Sequence, residues 1–423
     1  VSQPEKRILW GIIGSAIAVR CLLVLISPPT VEADLTPFND PTDYVHLAKS
    51  LWAGRGWVGP SGEPTAFRPP LFPLAIAPAV GLFPLPVALV LIALGQCLLA
   101  GVAVCLMHRI ARAIGLPAAP ALLAAAAYGS YPAFILQTKQ ILTEELGRVL
   151  LLATVSLLLT ADRTLRYSAA GALLGLAVLN KSVLAAALPL VGLVPLLRAG
   201  SISFRLKRAV AFTAPVALLM GLWTARNAAV SGAFVPVSTN FPITFAQGVT
   251  RFSYYSPIFV GEDVLLPAPP DYLRLTQLRN YSGIAEEISV GREWADRAKE
   301  WIAQNPGRFA YLTFRKGLHY WNPLIRNSPA VQVIAFASMA PVLFFGWIGL
   351  VSCLRTTGPR RRFAYIALAI GLSTWIPYAI SQPDVRYRLG LAEPLWMLAA
   401  AAFVAPYLPR SFSSGPLAKT LES

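Results

Sequence analysis

Apolar residues fall along this chain in runs of membrane-spanning length, separated by polar segments that differ in kind from one side to the other. A helix crosses a hydrocarbon core in about 20 residues. Runs of that order extend from Ile8 to Ile26, Pro86 to Met107, Ala118 to Leu136, Leu146 to Ala161, Ala209 to Thr224, Ala330 to Leu354, Phe363 to Ile380 and Leu391 to Leu408. A further apolar stretch, Ser168 to Leu197, is interrupted by Asn180-Lys181-Ser182. It predicts two short helices meeting at the membrane surface, for about ten spans in all.

Basic residues sit in alternate short loops: Lys6 and Arg7, Arg109 and Arg112, Arg163 and Arg166, Arg198 to Arg208, and Arg355 to Arg362. By the positive-inside rule those loops are cytoplasmic. The segments at 27–85 and 225–329 then face outward, as do short turns at 137–145, 180–182 and 381–390. Three regions follow: an N-terminal transmembrane module, 1–224, containing the outer loop 27–85; an outward-facing cap, 225–329; and C-terminal transmembrane helices, 330–423. The expected fold class is an all-α polytopic membrane protein with outward-facing juxtamembrane helices.

In the cap, residues 249–281 are rich in Pro, Tyr and Asp and read as irregular. A helical pattern then runs through Glu286-Glu287, Trp294, Ala298 and Trp301, stops at Asn305-Pro306-Gly307, and resumes from Phe309 to Trp321.

With 56% hydrophobic and 13% charged residues, a soluble domain of this length is excluded. The net charge of +16 reflects topology and contact with anionic lipid, not nucleic-acid binding, because the basic residues follow the loops. Cys21, Cys97, Cys105 and Cys353 lie inside expected spans and imply no disulfide framework. No small-residue cleavage site follows the first apolar run, so it is expected to stay as a helix. No internal repeat marks the inverted architecture of many transporters.

The unusual polar residues gather on the outward face. Asp40-Pro41-Thr42-Asp43-Tyr44 carries helix-start chemistry, and Asp40, Asp43, Tyr44 and Leu47 would share one face at three-and-four spacing. A carboxylate there suits a general base on an acceptor hydroxyl. Arg68, restrained by Pro69-Pro70, suits bidentate contact with phosphate or a snorkelling position at the interface. Arg226-Asn227, the run Asp384-Val385-Arg386-Tyr387-Arg388, Glu144-Glu145 and Lys181 place further charges at the outer boundary. Each reads either as an interfacial anchor or as a functional group. Arg20, inside the first span, reaches the interface or pairs with an acid in the bundle. His46, His108 and His319 lack zinc-ligand spacing, and no glycine loop of nucleotide-binding type occurs. The carboxylates Asp40, Asp43 and Glu144 fit either a base or a weak divalent site, leaving metal dependence open.

Five stretches, in this order and on one membrane face, resemble the GT-C glycosyltransferases that use polyprenyl-phosphate sugars. The likeness is to the branch related to protein O-mannosyltransferases and the lipid A aminoarabinose transferase. They are DPTDYVHLAKSLWAGRG from Asp40 to Gly56, EPTAFRPPLFPL from Glu63 to Leu74, Thr143-Glu144-Glu145-Leu146, WTARNAAVSGAFVPVSTN from Trp223 to Asn240, and DVRYRLGLAEP from Asp384 to Pro394. The resemblance implies that Asp40 is the catalytic acid of the first outer loop and that Arg68 contacts the donor phosphate. Asp43 and Tyr44 would position substrate, and Glu144 would be the acid of the second loop.

Arg226, or Arg386 with Arg388, would then help neutralise the leaving phosphate. No appended soluble domain follows the last expected span, which favours a lipid or envelope glycan over a protein acceptor. The expected protein is a transferase of a bacterial-type inner membrane, acting on its outer, periplasmic face. Its cofactor would be a lipid-linked sugar donor, and its partners the acceptor and membrane lipids, with no nucleic acid. The alternatives are a polyprenyl-phosphate or glycolipid transporter, which would spread charges through the midplane, and a non-catalytic glycolipid-binding partner.

Overall fold

The computed structural model describes residues 2–31, 40–250, 281–324, 329–383 and 385–408. Asn39, Asp384 and most of the stretch expected to be irregular lie outside the described residues.

The chain is an all-α, multi-pass membrane protein. From the N-terminus run α1 (Gln3–Ile26), α2 (Asp40–Trp52), α3 (Leu71–Leu82), α4 (Leu85–Ala113), α5 (Ala118–Gly129), α6 (Pro132–Gln137), α7 (Glu144–Thr160) and α8 (Thr164–Asn180). A mixed stretch of short helical turns around α9 (Leu188–Gly192) leads to α10 (Ile202–Ser231) and α11 (Phe241–Gln247). The cap supplies α12 (Ile284–Gln304) and α13 (Pro306–Tyr320), and the chain re-enters the bundle as α14 (Pro329–Leu354), α15 (Pro359–Ile380) and α16 (Glu393–Val404). A π-helical turn, Arg388–Ala392, feeds α16.

Among the described residues six helices are long and apolar enough to cross a membrane: α1, α4, α10, α14, α15 and the run Arg388–Tyr407. The other expected spans are helical but shorter. The run at 118–136 divides after Gly129 because Pro132 opens α6; proline has no N–H to continue the ladder. The helices α7 and α8 have 17 residues each, and the apolar stretch does break at Lys181. In the cap, the pause at Asn305 falls where Pro306 takes the first position of α13.

Bundle packing uses small residues, since lipid gives helices no hydrophobic reason to associate. A Cβ on Gly171 of α8 would lie 1.9 Å from the Phe212 carbonyl oxygen of α10, and one on Gly349 of α14 would lie 1.9 Å from that of Ala399 in α16. Large apolar side chains such as Leu22, Val210, Leu218 and Phe344 remain exposed on the outside of the spans, where lipid solvates them.

Trp294, Ala298 and Trp301 of α12 and Leu312 of α13 bury against Ala246 of α11 and Val249 just after it. Lys316, fully buried, donates to the carbonyls of Gly248 and Ser381 at 3.1 Å each, tying α13 to the segment after α15.

Gly171→Ala drives a methyl into backbone that has no rotamer with which to yield. It is expected to destabilise the bundle by about 1–3 kcal/mol, read as a lower unfolding temperature in detergent, while an Ala at Gly95, which meets nothing within 4 Å, leaves it unchanged.

Candidate active site

Two segments of the loop between α1 and α4 meet at one end of the bundle. Asp40 and Asp43 stand three residues apart on α2, so both carboxylates face one direction. Arg68 enters between them. Its Nη2 lies 2.7 Å from Asp40 Oδ1 and 2.8 Å from Asp43 Oδ2, and its Nε donates to Asp43 Oδ2 at 2.9 Å. The guanidinium also stacks over Phe67 and Tyr44, with ring centroids at 4.9 and 5.8 Å.

The backbone that carries Arg68 is held by the cap and by α10. Glu287 of α12 accepts from the Thr65 hydroxyl, from the Ala66 N–H at 3.1 Å and from the Thr239 hydroxyl at 2.7 Å. Arg226 donates to the carbonyls of Thr65 at 2.7 Å and Trp57 at 2.8 Å, and stacks on Trp223. Burial pushes the Glu287 carboxyl up, and these hydrogen bonds offset that only in part.

A third segment comes from the C-terminal half. Arg386 Nη1 reaches the second oxygen of Asp40 at 3.2 Å, so both oxygens of that carboxylate touch a guanidinium. Burial pushes Asp40 up, but Arg68 and Arg386 outweigh it and hold the carboxyl below its ordinary 3.8. Burial likewise disfavours charge on Arg68, and Asp40 and Asp43 more than reverse it.

The opposite wall is built by the start of α7 and the end of α8. Consecutive residues on a helix point about 100° apart, and that angle separates the two glutamates. Glu144 receives Lys181 at 2.8 Å beside the pocket. Glu145 turns inward to Arg148, with Tyr128 donating to it at 3.0 Å and Gln137 accepting from Arg148 at 2.7 Å. Lys181 also sits 5.5 Å from the centre of the Tyr387 ring.

Between these walls is a cavity of about 90 Å3, lined by Asp40, Tyr44, Arg68, Glu144, Lys181 and Arg386, with further polar groups from Thr143, Asn180, Ser182, Ser238, Asn240 and Tyr387. A larger cavity of about 540 Å3 lies among apolar and small side chains of α1, α5 and α6 and touches none of the candidate residues.

Of the expected site residues, the structure brings together Asp40, Asp43, Tyr44, Arg68, Glu144 and Arg386. It does not bring in Arg226, whose guanidinium is taken up by loop carbonyls and the Asn227 side chain. Nor does it bring in Arg388, which is fully buried, donates to the carbonyls of Tyr320 and Asn322, and pairs with Glu393. Both arginines hold backbone where expectation had put them on a phosphate. Arg20 is buried in the bundle and donates to the Ala16 and Gly129 carbonyls.

Lys181 emerges as the partner of Glu144, and Asn180, Tyr387 and Asn240 join the lining. The break in the apolar run marked the first two; Tyr387 and Asn240 lay inside stretches that carried the resemblance, with no role of their own expected.

Among the described residues no group of three or more His, Cys, Asp or Glu side chains could hold a metal ion. The carboxylates considered for a divalent site each have a cation of the chain at ion-pair distance. This donor set does not fit a resident metal as arranged.

No family model matches the chain, and no curated protein matches it. Solved structures do. The oligosaccharyltransferase of Archaeoglobus fulgidus in complex with Zn and sulfate is 15% identical at a TM-score of 0.57, over 98% of this chain and 51% of that one. The oligosaccharyltransferase AglB of the same organism, with an inhibitory peptide and a dolichol-phosphate, is 15% identical at 0.56, over 99% and 52%. ArnT from Cupriavidus metallidurans bound to undecaprenyl phosphate is 13% identical at 0.51, over 97% and 62%. The fold is GT-C. At these identities the likeness is one of fold, and this chain spans about half of each oligosaccharyltransferase chain and 62% of the ArnT chain. Within the GT-C fold the pocket lies on elements from both halves of the chain, so neither half forms it alone.

Removing the carboxylate that holds the Arg68 segment should loosen the loop without touching the pocket. For Glu287→Ala, loss of three hydrogen bonds is expected to speed hydrogen exchange at the Ala66 amide by roughly five- to hundredfold, equivalent to about 1–3 kcal/mol. Unchanged exchange there would mean that Arg226 and the backbone bonds from Thr239 and Ile284 hold the segment without Glu287.

Proposed function

We propose that this protein is a membrane glycosyltransferase that takes a sugar from a polyprenyl-phosphate donor and passes it, with inversion, to a lipid or envelope-glycan acceptor. The reaction would run on the outer, periplasmic face of a bacterial-type inner membrane. The observation that carries this reading is Asp40 held between Arg68 and Arg386 in a polar pocket, on the expected outward face of a GT-C bundle. Support also comes from AglB and ArnT, whose structures hold dolichol-phosphate and undecaprenyl phosphate.

The acceptor O–H attacks the anomeric carbon, its proton passes to Asp40, and the bond from that carbon to the phosphate oxygen breaks with its electron pair leaving on phosphate. A phosphate monoester leaves without needing a proton donor, so one base and fixed cations suffice. Arg68 and Arg386 serve both ends of this step. In the resting pocket they lower the basicity of Asp40; a donor phosphate that draws them off returns basicity to the carboxylate as substrate arrives. Asp43 keeps one carboxylate on Arg68 throughout and so positions it. Tyr44 packs against Phe72 and walls the same site.

Asp40→Asn is expected to cut transfer by about 10²–10⁴-fold, with affinity for undecaprenyl phosphate unchanged or raised because two guanidiniums lose a competitor. Sugar transfer from a radiolabelled lipid-donor panel, measured beside lipid binding, decides it; an active Asp40→Asn sinks the assignment of the base.

The pH dependence follows from the direction of the Asp40 shift. A depressed carboxyl stays ionised as pH falls and is lost only below its ordinary range, so kcat/KM should show no acid limb from Asp40 between about pH 8 and 5. Arg386→Ala removes one of the two groups holding it down and should move that limb upward.

A further inference from the structure

At the end of the bundle away from the pocket, two arginines stand together without an acid. Arg198 follows the helical turn Val194–Leu197, and Arg362 lies near the start of α15. Arg198 Nη1 donates to the Tyr167 hydroxyl of α8 at 3.2 Å. Arg198 and Tyr167 both act electrostatically on Arg362, so the three groups share one neighbourhood. Both arginines are partly exposed, and Arg362 Nη1 has no hydrogen-bond partner. The acids described at this end are taken elsewhere: Glu5 pairs with His108 and Arg112, and Asp162 with Arg166. The cluster therefore offers donors and no acceptor. Guanidiniums only donate, and the Tyr167 oxygen, already accepting from Arg198, keeps its own hydrogen to give. Like charges held close without a counter-charge repel one another. An anion with several acceptor oxygens removes that repulsion and receives the N–H groups in the geometry that guanidinium favours.

We propose that Arg198, Arg362 and Tyr167 form a site for the phosphate of an anionic phospholipid headgroup, separate from the transfer pocket. Tyr167 shares α8 with Asn180, which lines that pocket, and a rise of about 1.5 Å per residue puts the two about 20 Å apart along the helix. Lipid is the source that the surroundings favour. Leu193 and Leu197, just before Arg198, and Leu165, two residues before Tyr167, are exposed large apolar side chains at the border of the cluster. Acyl chains cover such a border, whereas a free phosphate leaves it bare. Neighbouring cations are engaged with backbone instead: Arg360 donates to the carbonyls of Ile114 and Gly115, Arg205 to that of Gly200 and Arg208 to that of Ala199. Three donors gathered between helices make a defined headgroup site, distinct from the general attraction of a basic surface for anionic lipid.

The test is lipid binding by the delipidated full-length protein in detergent, with bound molecules counted by native mass spectrometry. The probes are dioleoyl phosphatidylglycerol, dioleoyl phosphatidylcholine and inorganic phosphate. The first phosphatidylglycerol is expected to bind about tenfold tighter than the first phosphatidylcholine, whose ammonium would face two guanidiniums. Arg198→Gln with Arg362→Gln should weaken that first site by about tenfold or more, the worth of one or two hydrogen bonds to a charged group. Lys207→Gln, which removes an exposed charge from the start of α10, should leave it level. If the double variant does not fold, Tyr167→Phe takes its place, with an expected loss of about two- to tenfold.

Equal binding of the two lipids, or no loss in the variant tested, overturns the site. An equal loss from Lys207→Gln also overturns it, because the attraction would then be that of the whole basic surface. Inorganic phosphate that displaces phosphatidylglycerol at equal concentration keeps the anion site and overturns the lipid as its occupant. None of these outcomes bears on the transfer pocket, whose residues are unaltered throughout.

Discussion

The ion pairs of Arg68 with Asp40 and Asp43 are the contact on which the rest of this site depends. One guanidinium, nearly withdrawn from water, joins the start of α2 to the far end of the loop that follows it. Charges so buried are stable only when geometry supplies both partners and further hydrogen bonds. The surroundings meet that condition from several directions: α10 through Arg226, α12 through Glu287, and the C-terminal half through Arg386. The segment after α10 is therefore part of the site: Ser238 and Asn240 line the pocket, and Glu287 holds the backbone that carries Arg68.

The same constraint organises the layer beneath. Arg148, Glu145 and Tyr128 form one buried polar cluster, and Arg388, Glu393 and Tyr131 another. Away from water, each charge has to find its partner inside the protein. These clusters fix the start of α7 and the turn before α16, the elements that present Glu144 and Arg386 to the pocket. The alternation at Glu144-Glu145 shows how little sequence separates the two tasks: one residue faces a pocket and its neighbour faces the core.

Much of this was legible in the sequence because it is local. The three-residue spacing of Asp40 and Asp43, the double proline after Arg68, the helix stop at Pro306 and the break at Asn180-Lys181-Ser182 each act through backbone rules that need no tertiary knowledge. The assignments that moved concern long, flexible cations. An arginine at the outer boundary reaches a carbonyl, a carboxylate or a ligand with equal ease, and its choice depends on chain brought close by folding. Arg226 meets backbone from residues 57 and 65, and Arg388 meets the end of α13; neither partner has any mark in the pattern around the arginine itself. The span count is legible only in part, because among the described residues six helices meet a spanning length while α7 and α8 stop at 17 residues. Hydropathy registers that a segment is apolar, whereas where its helix starts and stops depends on breaks such as Pro132 and Lys181.

Charge balance sets the last constraint. Among the described residues the pocket pairs the carboxylates of Asp40, Asp43 and Glu144 with the cations of Arg68, Lys181 and Arg386, and these formal charges cancel. On the proposed reading, an anionic headgroup would therefore not enter a field of excess positive charge; it would enter by exchange, taking guanidinium contacts from a carboxylate that is freed as it does so. Arg386 is the natural partner to give way, since it is the more exposed of the two guanidiniums, 30% against 9%, and holds Asp40 at the longer distance. Arg68 cannot leave as readily, because Asp43 holds it through two nitrogens. On the proposed reading, this difference assigns the arginines distinct parts: Arg68 marks where the phosphate binds, and Arg386 decides when Asp40 is released to act.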